Sequence, residues 1–489
     1  MSRERHTDVL IVGAGLSGID VAAHLLREDT GRSFALLERR RAIGGTWDLF
    51  RYPGIRSDSD MYTFGYGFRP WHGTSVLSDG AEIRRYLVDT ADEYGITEKI
   101  HFGRKVVQAS WSGATGQWTV TAVDEATGDT EIWTSTFLVG ATGYYNYDHG
   151  YRPDFPGEHD FPGEIVHPQH WPADLDYRDR RVVVIGSGAT AITLVPAMAR
   201  DAAHVTMLQR SPTYIASLPR TDPMAGVLRR LRMSKAATYR LGRARNIALQ
   251  QAFYKLSRAQ PAVARQILLR AVRAQVGSRV DMKHFTPRYD PWDQRLCVVP
   301  NGDLFAALRS GRASIVTDRI ERFTADGIRL ASGEELPADI VVVATGLEVQ
   351  MLGGARIVVD GRDVATHDAT LYKGTLVSDV PNAMIVLGYT NASWTLKADL
   401  ASAYFCRVLN LMRDRGYTRF VAHIAAADRT DESLMGAALS SGYIRRGDAV
   451  MPRQGRRAPW KALDDYPRDI RYLRNAPVED GVLEFSGAD

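Results

Sequence analysis

Short apolar runs recur along the chain, and each is followed by a glycine-rich turn and a stretch with helical spacing. The first run covers residues 8–12, its turn covers 13–18 and the helical stretch covers 19–26. A second apolar run, 34–37, follows and ends at Glu38. Continuous apolar runs are typical of strands that are buried on both faces of a parallel sheet. The pattern therefore predicts a strand–helix–strand unit at the start of the chain.

The same pattern returns in the middle of the chain. A strand is predicted at 181–185, a glycine-rich turn at 186–191 and a partner strand at 205–209. Each half also contains a strand that ends in Ala-Thr-Gly, at 141–143 and at 344–346. Repeated strand–turn–helix units of this kind form dinucleotide-binding sheets. We therefore predict an α/β fold with two dinucleotide-binding, Rossmann-like domains.

The two units divide the chain into three stretches. Residues 1–145 are predicted to form the first part of the first domain, and residues 146–346 the second domain. Residues 347–489 are predicted to complete the first domain and form the C-terminal region. A helical insertion is predicted in the second domain at about 222–285, with a break at Pro261.

The first glycine-rich turn has the spacing of a dinucleotide fingerprint. Gly13 permits the tight turn, Gly15 lets the backbone approach a pyrophosphate, and Gly18 lets the helix pack closely on the strand. Ser17 lies at the helix N-terminus, where free N–H groups attract phosphate. Glu38 follows twenty residues after Gly18, where an acid can bind ribose hydroxyls. These residues predict FAD or NAD in the first domain, and a purely structural turn is the alternative.

The second fingerprint differs in the residue that would contact the ribose. Its third glycine is replaced by Ala191, and its partner strand ends in Arg210 and Ser211 with no acid. An arginine there binds a 2′-phosphate by charge-assisted hydrogen bonds, whereas an acid would repel it. We predict NADPH at this site, and a solvated surface arginine is the alternative for Arg210. The predicted turn contacts are Gly186, Ser187, Gly188, Ala189, Thr190 and Ala191.

Composition removes several other classes of redox protein. The chain has 489 residues, of which 45% are hydrophobic, but only two are cysteines, Cys297 and Cys406. Two cysteines exclude a four-cysteine zinc site or iron–sulfur cluster within the chain, and they do not form a C-x-x-C pair. We therefore expect no metal site and no disulfide reductase. Two dinucleotide sites then indicate a flavoenzyme in which NADPH reduces FAD, with O2 as the expected acceptor.

Positive charge is concentrated in one segment, although the net charge is only +4. Residues 223–280 contain thirteen Lys or Arg and no Asp or Glu. We favour a solvated helical face that also steers NADPH, and we keep peripheral membrane contact as the alternative. Nucleic-acid binding is not expected, since no nucleic-acid motif is present. We expect a cytoplasmic protein without a transmembrane helix.

Residues 161–172 read Phe-Pro-Gly-Glu-Ile-Val-His-Pro-Gln-His-Trp-Pro. This stretch resembles the F-x-G-x-x-x-H-x-x-x-W-P signature of Baeyer–Villiger monooxygenases and lies between the two fingerprints, as it does in that family. The resemblance implies that His167 and Trp171 help to couple the two nucleotide domains. A structural linker is the alternative. The matching positions are Phe161, Gly163, His167, Trp171 and Pro172.

Other stretches resemble the same family. Residues 44–47, Gly-Gly-Thr-Trp, are similar to its FAD-contacting G-G-x-W motif, and residues 52–58 are similar to its Y-P-G-x-R-x-D motif. The resemblance extends over nearly the whole chain. The FAD contacts that it implies are Gly45, Thr46, Trp47, Asp48, Leu49, Arg56, Ser57, Asp58 and Val106.

The resemblance also implies two catalytic residues, Arg295 and Asp58. In this family, a C4a-peroxyflavin attacks a ketone carbonyl, and both the peroxide and its adduct carry negative charge. A guanidinium aimed at these anions stabilises them, and Asp58 would hold Arg295 in place. An ordinary surface arginine and an ion pair between Asp58 and Arg56 are the alternatives. Trp394 is a weaker candidate, either as a cavity wall or as core packing.

The function implied is an NADPH- and FAD-dependent Baeyer–Villiger monooxygenase that acts with O2 on small ketones and gives esters or lactones. Sulfoxidation of thioethers or thioamides is expected as a second activity. The alternative is a flavin-containing monooxygenase that oxidises only amine nitrogen or sulfur.

Overall fold

The computed structural model describes residues 4–73, 75–436 and 440–487. Within these ranges, no helix combines the length and the apolar character needed to cross a membrane. The α-helices are Leu16–Arg27, Thr46–Leu49, Met61–Phe64, Gly80–Glu93, Ala189–Met198, Pro223–Arg230, Lys235–Ala259, Pro261–Val276, Asp303–Arg309, Trp394–Arg415, Gly442–Gly447 and Tyr466–Asp469.

The first sheet is built around the strand Glu4–Val12, which lies parallel between Phe34–Glu38 and Thr130–Gly140. The strands Arg104–Ser112, Gln117–Asp124 and Thr130–Gly140 form an antiparallel meander. The strand Ala383–Ile385, from much later in the chain, pairs in parallel with Thr130–Gly140. Strands between residues 356 and 385 therefore complete this sheet. Its strands are Glu4–Val12, Phe34–Glu38, Ile100–Phe102, Arg104–Ser112, Gln117–Asp124, Thr130–Gly140, Arg356–Val359, Arg362–Asp363, Leu371–Tyr372, Leu376–Val377 and Ala383–Ile385.

The second sheet is parallel throughout and has its own core. Its strands run in the order Ala313–Thr317, His204–Gln209, Arg181–Ile185, Ile340–Val343 and Glu164–Val166. The predicted α/β fold with two Rossmann-like domains is confirmed. Smaller sheets are formed by Ile215–Leu218 with Cys297–Pro300, by Ile320–Thr324, Gly327–Leu330 and Glu335–Pro337, and by Arg419–Ala422 with Leu483–Ser486.

Three helices form the insertion, and the chain turns between the second and third at Pro261, as its sequence predicts. The second insertion helix is bonded to the first domain through its inner face. Asn246 and Gln250 each donate a hydrogen bond of 2.7 Å to the Asp60 carboxylate. Arg243 donates to the Tyr62 carbonyl at 2.6 Å. The insertion is therefore fixed to the segment that follows Asp58.

Two crossover segments run side by side between the domains. The Asn146 amide donates to the Glu348 carbonyl at 2.9 Å, and the Tyr151 amide donates to the Gly346 carbonyl at 3.2 Å. The Thr345 hydroxyl donates to the Tyr151 carbonyl at 2.8 Å. A change in the angle between the domains must therefore move both segments together.

A buried ionic cluster fixes the fingerprint helix Leu16–Arg27 against the helix Trp394–Arg415. His24 Nε2 lies 3.1 Å from Asp399 Oδ1, and Arg474 contacts the other Asp399 oxygen at 2.7 Å. Burial raises the pKa of Asp20 to about 7. Burial alone would lower the pKa of His24, but its acidic neighbours, Asp399 first, raise it to about 9. The cluster orients the helix whose N-terminus faces the cavity described below.

Gly18 is the residue on which the packing of that helix depends. A Cβ atom at this position would lie 1.9 Å from the Gly13 carbonyl oxygen, which is fixed backbone. We expect Gly18→Ala to lower the thermal unfolding midpoint, because overpacking of this kind costs about 1–3 kcal/mol. Gly226→Ala is the matched control, since a Cβ there meets nothing within 4 Å. Equal midpoints for the two variants would refute this explanation.

Candidate active site

A cavity of about 830 Å³ lies between the two nucleotide domains, and both glycine-rich turns line it. The helices Leu16–Arg27 and Ala189–Met198 begin at its wall, with Gly15 and Gly188 as their N-caps. Neither cap residue offers a side chain to the first-turn N–H groups. Free N–H groups and a positive dipole end are the features that bind phosphate. The cavity thus has a phosphate-binding element on each side.

Glu38 is fixed at the end of its strand, as a ribose-binding acid requires. Its two carboxylate oxygens accept hydrogen bonds from the amides of Ala14 and Arg40, each at 2.7 Å. Burial raises the pKa of Glu38, against the opposing effect of these hydrogen bonds. Ser17 lines the same side of the cavity and accepts a hydrogen bond of 2.9 Å from Trp394. These residues fit the adenine-dinucleotide part of FAD.

Most of the other FAD contacts implied by sequence line the cavity. They are Gly45, Thr46, Trp47, Arg56, Ser57, Asp58 and Val106.

Three of the expected contacts do not line the cavity and instead lie behind its wall. Gly18 packs on Gly13. Asp48 is buried and paired with Arg40 at 2.7 Å, and it also contacts Arg51 and Arg84. Leu49 packs into the core of the second domain. These residues support the loop that forms the wall.

The second fingerprint opens into the same cavity. The lining residues expected from sequence are Gly186, Ser187, Gly188, Ala189, Thr190, Arg210 and Ser211. Ala191 is fully buried in the second core, because the helix packs there against its own sheet.

A second arginine, which sequence reasoning missed, also lines this part of the cavity. The guanidinium of Arg446 lies 3.4 Å above the centre of the Tyr151 ring. Burial lowers the pKa of Arg446, and the positive charge of Arg210, which lines the same cavity, lowers it further. Two guanidinium groups that line one cavity fit an anion such as the 2′-phosphate of NADPH.

Arg295 and Asp58 meet in the cavity although they are 237 residues apart. Arg295 Nε lies 3.3 Å from Asp58 Oδ2, and Nη2 lies 3.4 Å from Oδ1. Both side chains line the cavity and keep exposed fractions of 34% and 28%. The Asp58 carboxylate raises the pKa of Arg295, which therefore stays protonated. Arg56 pairs instead with Asp303, at 2.6 Å.

Three tyrosines surround this ion pair, and sequence reasoning missed all of them. The hydroxyls of Tyr144 and Tyr145 lie 2.9 Å apart, and Tyr443 also bonds to Tyr144. Burial raises the pKa of each of them, so their hydroxyls are neutral donors. Two come from a crossover segment and one from the C-terminal region, so no local motif brings them together.

The turn before Arg295 is held from two sides. Ser440 donates to the Asp293 carbonyl through its amide at 2.6 Å and its hydroxyl at 2.9 Å. Arg258 of the insertion pairs with the Asp293 carboxylate at 2.9 Å. Cys297 follows and is buried, and burial raises the pKa of its thiol to about 12. Cys297 is thus a neutral packing residue at neutral pH.

The signature stretch contains the edge strand Glu164–Val166 of the second sheet and then packs against the first crossover segment. The His167 ring packs on Gly150, where an added Cβ would lie 2.1 Å from Cε1. Phe161 packs on Phe323 beside the second sheet, with ring centres 6.0 Å apart. Gly163 lies close to the Asp339 carbonyl, and Trp171 packs against the second core. Pro172 follows Trp171 directly.

Comparison with known proteins places the chain among flavoproteins. The model of the flavin-binding monooxygenase-like family matches residues 74–409, and an NAD(P)-binding Rossmann-like domain model matches residues 11–89. MymA of Mycobacterium tuberculosis is 55% identical over 488 residues, which cover 99% of this chain and 98% of MymA. The FAD-containing monooxygenase EthA of the same organism is 50% identical over 483 residues, which cover 98% of each chain.

A solved structure has the same fold. The oxidised steroid monooxygenase bound to NADP superposes with a TM-score of 0.78 at 23% sequence identity, and the match covers 99% of this chain and 100% of the other.

Proposed function

Because the chain belongs to the flavin-binding monooxygenase-like family, we propose that it is an NADPH- and FAD-dependent Baeyer–Villiger monooxygenase. The reaction converts a small ketone, O2, NADPH and a proton into an ester or lactone, NADP⁺ and water. Sulfoxidation of thioethers or thioamides is proposed as a second activity. The observation that carries the proposal is the Arg295–Asp58 ion pair in a cavity lined by both dinucleotide fingerprints.

FAD is assigned to the first fingerprint and NADPH to the second. Glu38 would bind the FAD ribose, and the N-terminus of Leu16–Arg27 would face the pyrophosphate. Arg210 and Arg446 would bind the 2′-phosphate of NADPH. When bound and reduced by NADPH, FAD supplies the two electrons that activate O2. The protein would hold both cofactors against one cavity.

Arg295 serves the oxygen-transfer step by electrostatics. Negative charge develops on the attacking oxygen and then on the former carbonyl oxygen of the ketone. A fixed guanidinium beside these atoms stabilises that charge without the reorganisation that water would need. Asp58 keeps Arg295 protonated and limits its rotation, but it leaves one side of the guanidinium open to the cavity. Tyr144 and Tyr443 offer further neutral donors near the same position.

The roles proposed for the signature residues concern domain movement. His167 packs on one crossover segment, and Trp171 packs on the core of the second domain. A rotation between the domains would therefore move both residues together.

The cytoplasmic location stays a prediction.

Ketone chemistry distinguishes the proposed function from the oxidation of nitrogen or sulfur alone. We expect the purified protein to be yellow with FAD and to form esters from linear and phenyl ketones in the presence of NADPH and O2. A thioether is assayed beside the ketones under the same conditions. Oxidation of the thioether without any ester from the ketones would favour the flavin-containing monooxygenase alternative.

Arg210 tests the assignment of the second cofactor. We expect Arg210→Ala to weaken NADPH binding at least about tenfold, because a charge-assisted hydrogen bond contributes roughly 1.5–3 kcal/mol. Binding of NADH, which lacks the 2′-phosphate, should change little. Calorimetric titration of the FAD-loaded protein measures both constants. Arg200→Ala, an exposed arginine of the same domain, is the control. An equal loss for both cofactors would show that Arg210 does not contact the 2′-phosphate.

Arg295→Ala separates the two half-reactions. Transfer of hydride from NADPH to FAD creates no oxyanion, so anaerobic stopped-flow reduction should persist in this variant. Ester formation should fall by on the order of 10²–10³, the typical effect of losing one such donor. The O2 that this variant consumes should then be released as hydrogen peroxide instead of being transferred to the ketone.

Asp58→Ala should behave similarly but more mildly, because the arginine remains in the cavity. Near wild-type ester formation by Arg295→Ala would contradict the catalytic assignment. Arg56→Ala would then be the next variant to measure.

A further inference from the structure

The insertion exposes most of the protein's large apolar surface side chains. Within the part of the chain that the structure describes, eight large hydrophobic residues are exposed, and only Leu26 lies elsewhere. A helix face that is merely solvated does not need several exposed apolar side chains. The seven in the insertion are Val227, Leu231, Met233, Leu241, Leu249, Val263 and Ile267.

Exposed apolar and basic side chains alternate where the first insertion helix turns into the second. We call residues 227–241 the basic tip. Leu231 is 68% exposed and Val227 is 53% exposed. The basic side chains between and beyond them, Arg230, Arg232, Lys235 and Arg240, are also exposed.

Some positive charges of the insertion are paired with acids outside its helices. Arg245 contacts Asp222 at 2.8 Å, and Lys255 contacts Asp465 at 3.1 Å. In contrast, none of the exposed basic residues of the tip forms an ion pair with another described residue. The tip therefore presents unneutralised charge together with apolar side chains.

We propose that the basic tip docks on the surface of a lipid bilayer that contains anionic lipid. The Arg and Lys side chains meet the negative headgroups, and Leu231 and Met233 enter the boundary between headgroups and acyl chains. The absence of acidic residues from 223–280 removes the repulsion that an acid would add. A nucleic acid would satisfy the charge but would leave the exposed leucine and methionine without an apolar environment.

Docking at this position has a direct consequence for the cavity. The second insertion helix begins in the tip and is bonded further along to Asp60, two residues after Asp58. A docked tip therefore fixes the orientation of the cavity wall relative to the bilayer. The docked enzyme would then take lipid-soluble ketones from the bilayer as substrates. This substrate class rests on the proposed function, whereas the docking itself does not.

Vesicle sedimentation tests the docking with the FAD-loaded full chain. We expect binding to vesicles of phosphatidylcholine mixed with phosphatidylglycerol, and little binding to phosphatidylcholine alone. Added salt should weaken the binding, because it screens exposed charges. Arg230→Gln combined with Arg232→Gln should weaken it about tenfold or more, since each basic residue near such a surface contributes on the order of fivefold. Leu231→Ser combined with Met233→Ser should also weaken it.

The matched control removes the same charge from another face of the insertion. Arg270 and Arg273 are exposed on the third helix, and Arg270→Gln combined with Arg273→Gln should bind nearly as well as the parent. Equal weakening by both charge variants would mean diffuse attraction and would overturn the assignment to the tip. Equal binding to vesicles with and without anionic lipid would overturn the proposal. Preferential binding of a DNA or RNA oligonucleotide would also overturn it.

A fluorescent label locates the inserted side chain. Both native cysteines are buried, and burial raises the pKa of each thiol, so a maleimide reacts selectively with a new surface cysteine. NBD attached to Leu231→Cys should brighten and shift to shorter wavelength on anionic vesicles. The same label on Ile267→Cys should change little. No change at position 231, or equal changes at both positions, would contradict insertion of the tip. Failure of ketone oxidation would leave these readouts unaffected.

Discussion

The ion pair between Arg295 and Asp58 is the contact on which the proposed site depends, because its two members come from different domains. Asp58 ends a loop of the first domain, and Arg295 precedes a strand that packs on the second. A guanidinium facing a cavity needs a nearby carboxylate to offset the cost of its charge. The pair therefore exists only while the domains hold the loop and the turn together. Any change in their relative position alters the charge presented to the cavity.

Several contacts keep the domains in that relation. Tyr52 packs into the second core, and Gly54 lies so close to the helix Ala189–Met198 that an added Cβ would meet Ala197 at 2.8 Å. Arg56 reaches across to Asp303. The loop that carries Asp58 is thus built against the second domain, although it belongs to the first. The Y-P-G-x-R-x-D pattern is understandable in these terms, since Tyr52, Gly54 and Arg56 cross the domain boundary and Asp58 faces the cavity.

Local sequence patterns predicted the elements whose physics is local. The strand Arg181–Ile185 has the predicted bounds, because buried parallel strands are continuous apolar runs. Glu38 could be placed because its distance from the fingerprint is set by one helix and one turn. The pairing of Arg295 with Asp58 could not be derived in this way, and only the resemblance to a family indicated it.

The remaining site residues depend on contacts between distant parts of the chain. Tyr443 and Arg446 reach the cavity from the C-terminal region, where no sequence motif predicted them as site residues. Asp48 was expected to contact FAD but lies behind the wall, because three arginines neutralise it there. The apolar residues of the insertion have helical spacing, and spacing alone does not say that Leu241 and Leu249 face solvent.

The proposed function requires that one atom of molecular oxygen is transferred to a ketone in the cavity between the two nucleotide sites. The fate of that atom can be followed by incubating the FAD-loaded protein with NADPH, ¹⁸O2 and a phenyl ketone and analysing the product by mass spectrometry. We expect an ester that carries a single ¹⁸O atom at the bridging position between the carbonyl carbon and the migrated group. An unlabelled product, or consumption of NADPH and O2 without ester from any ketone in a series of increasing chain length, would contradict it.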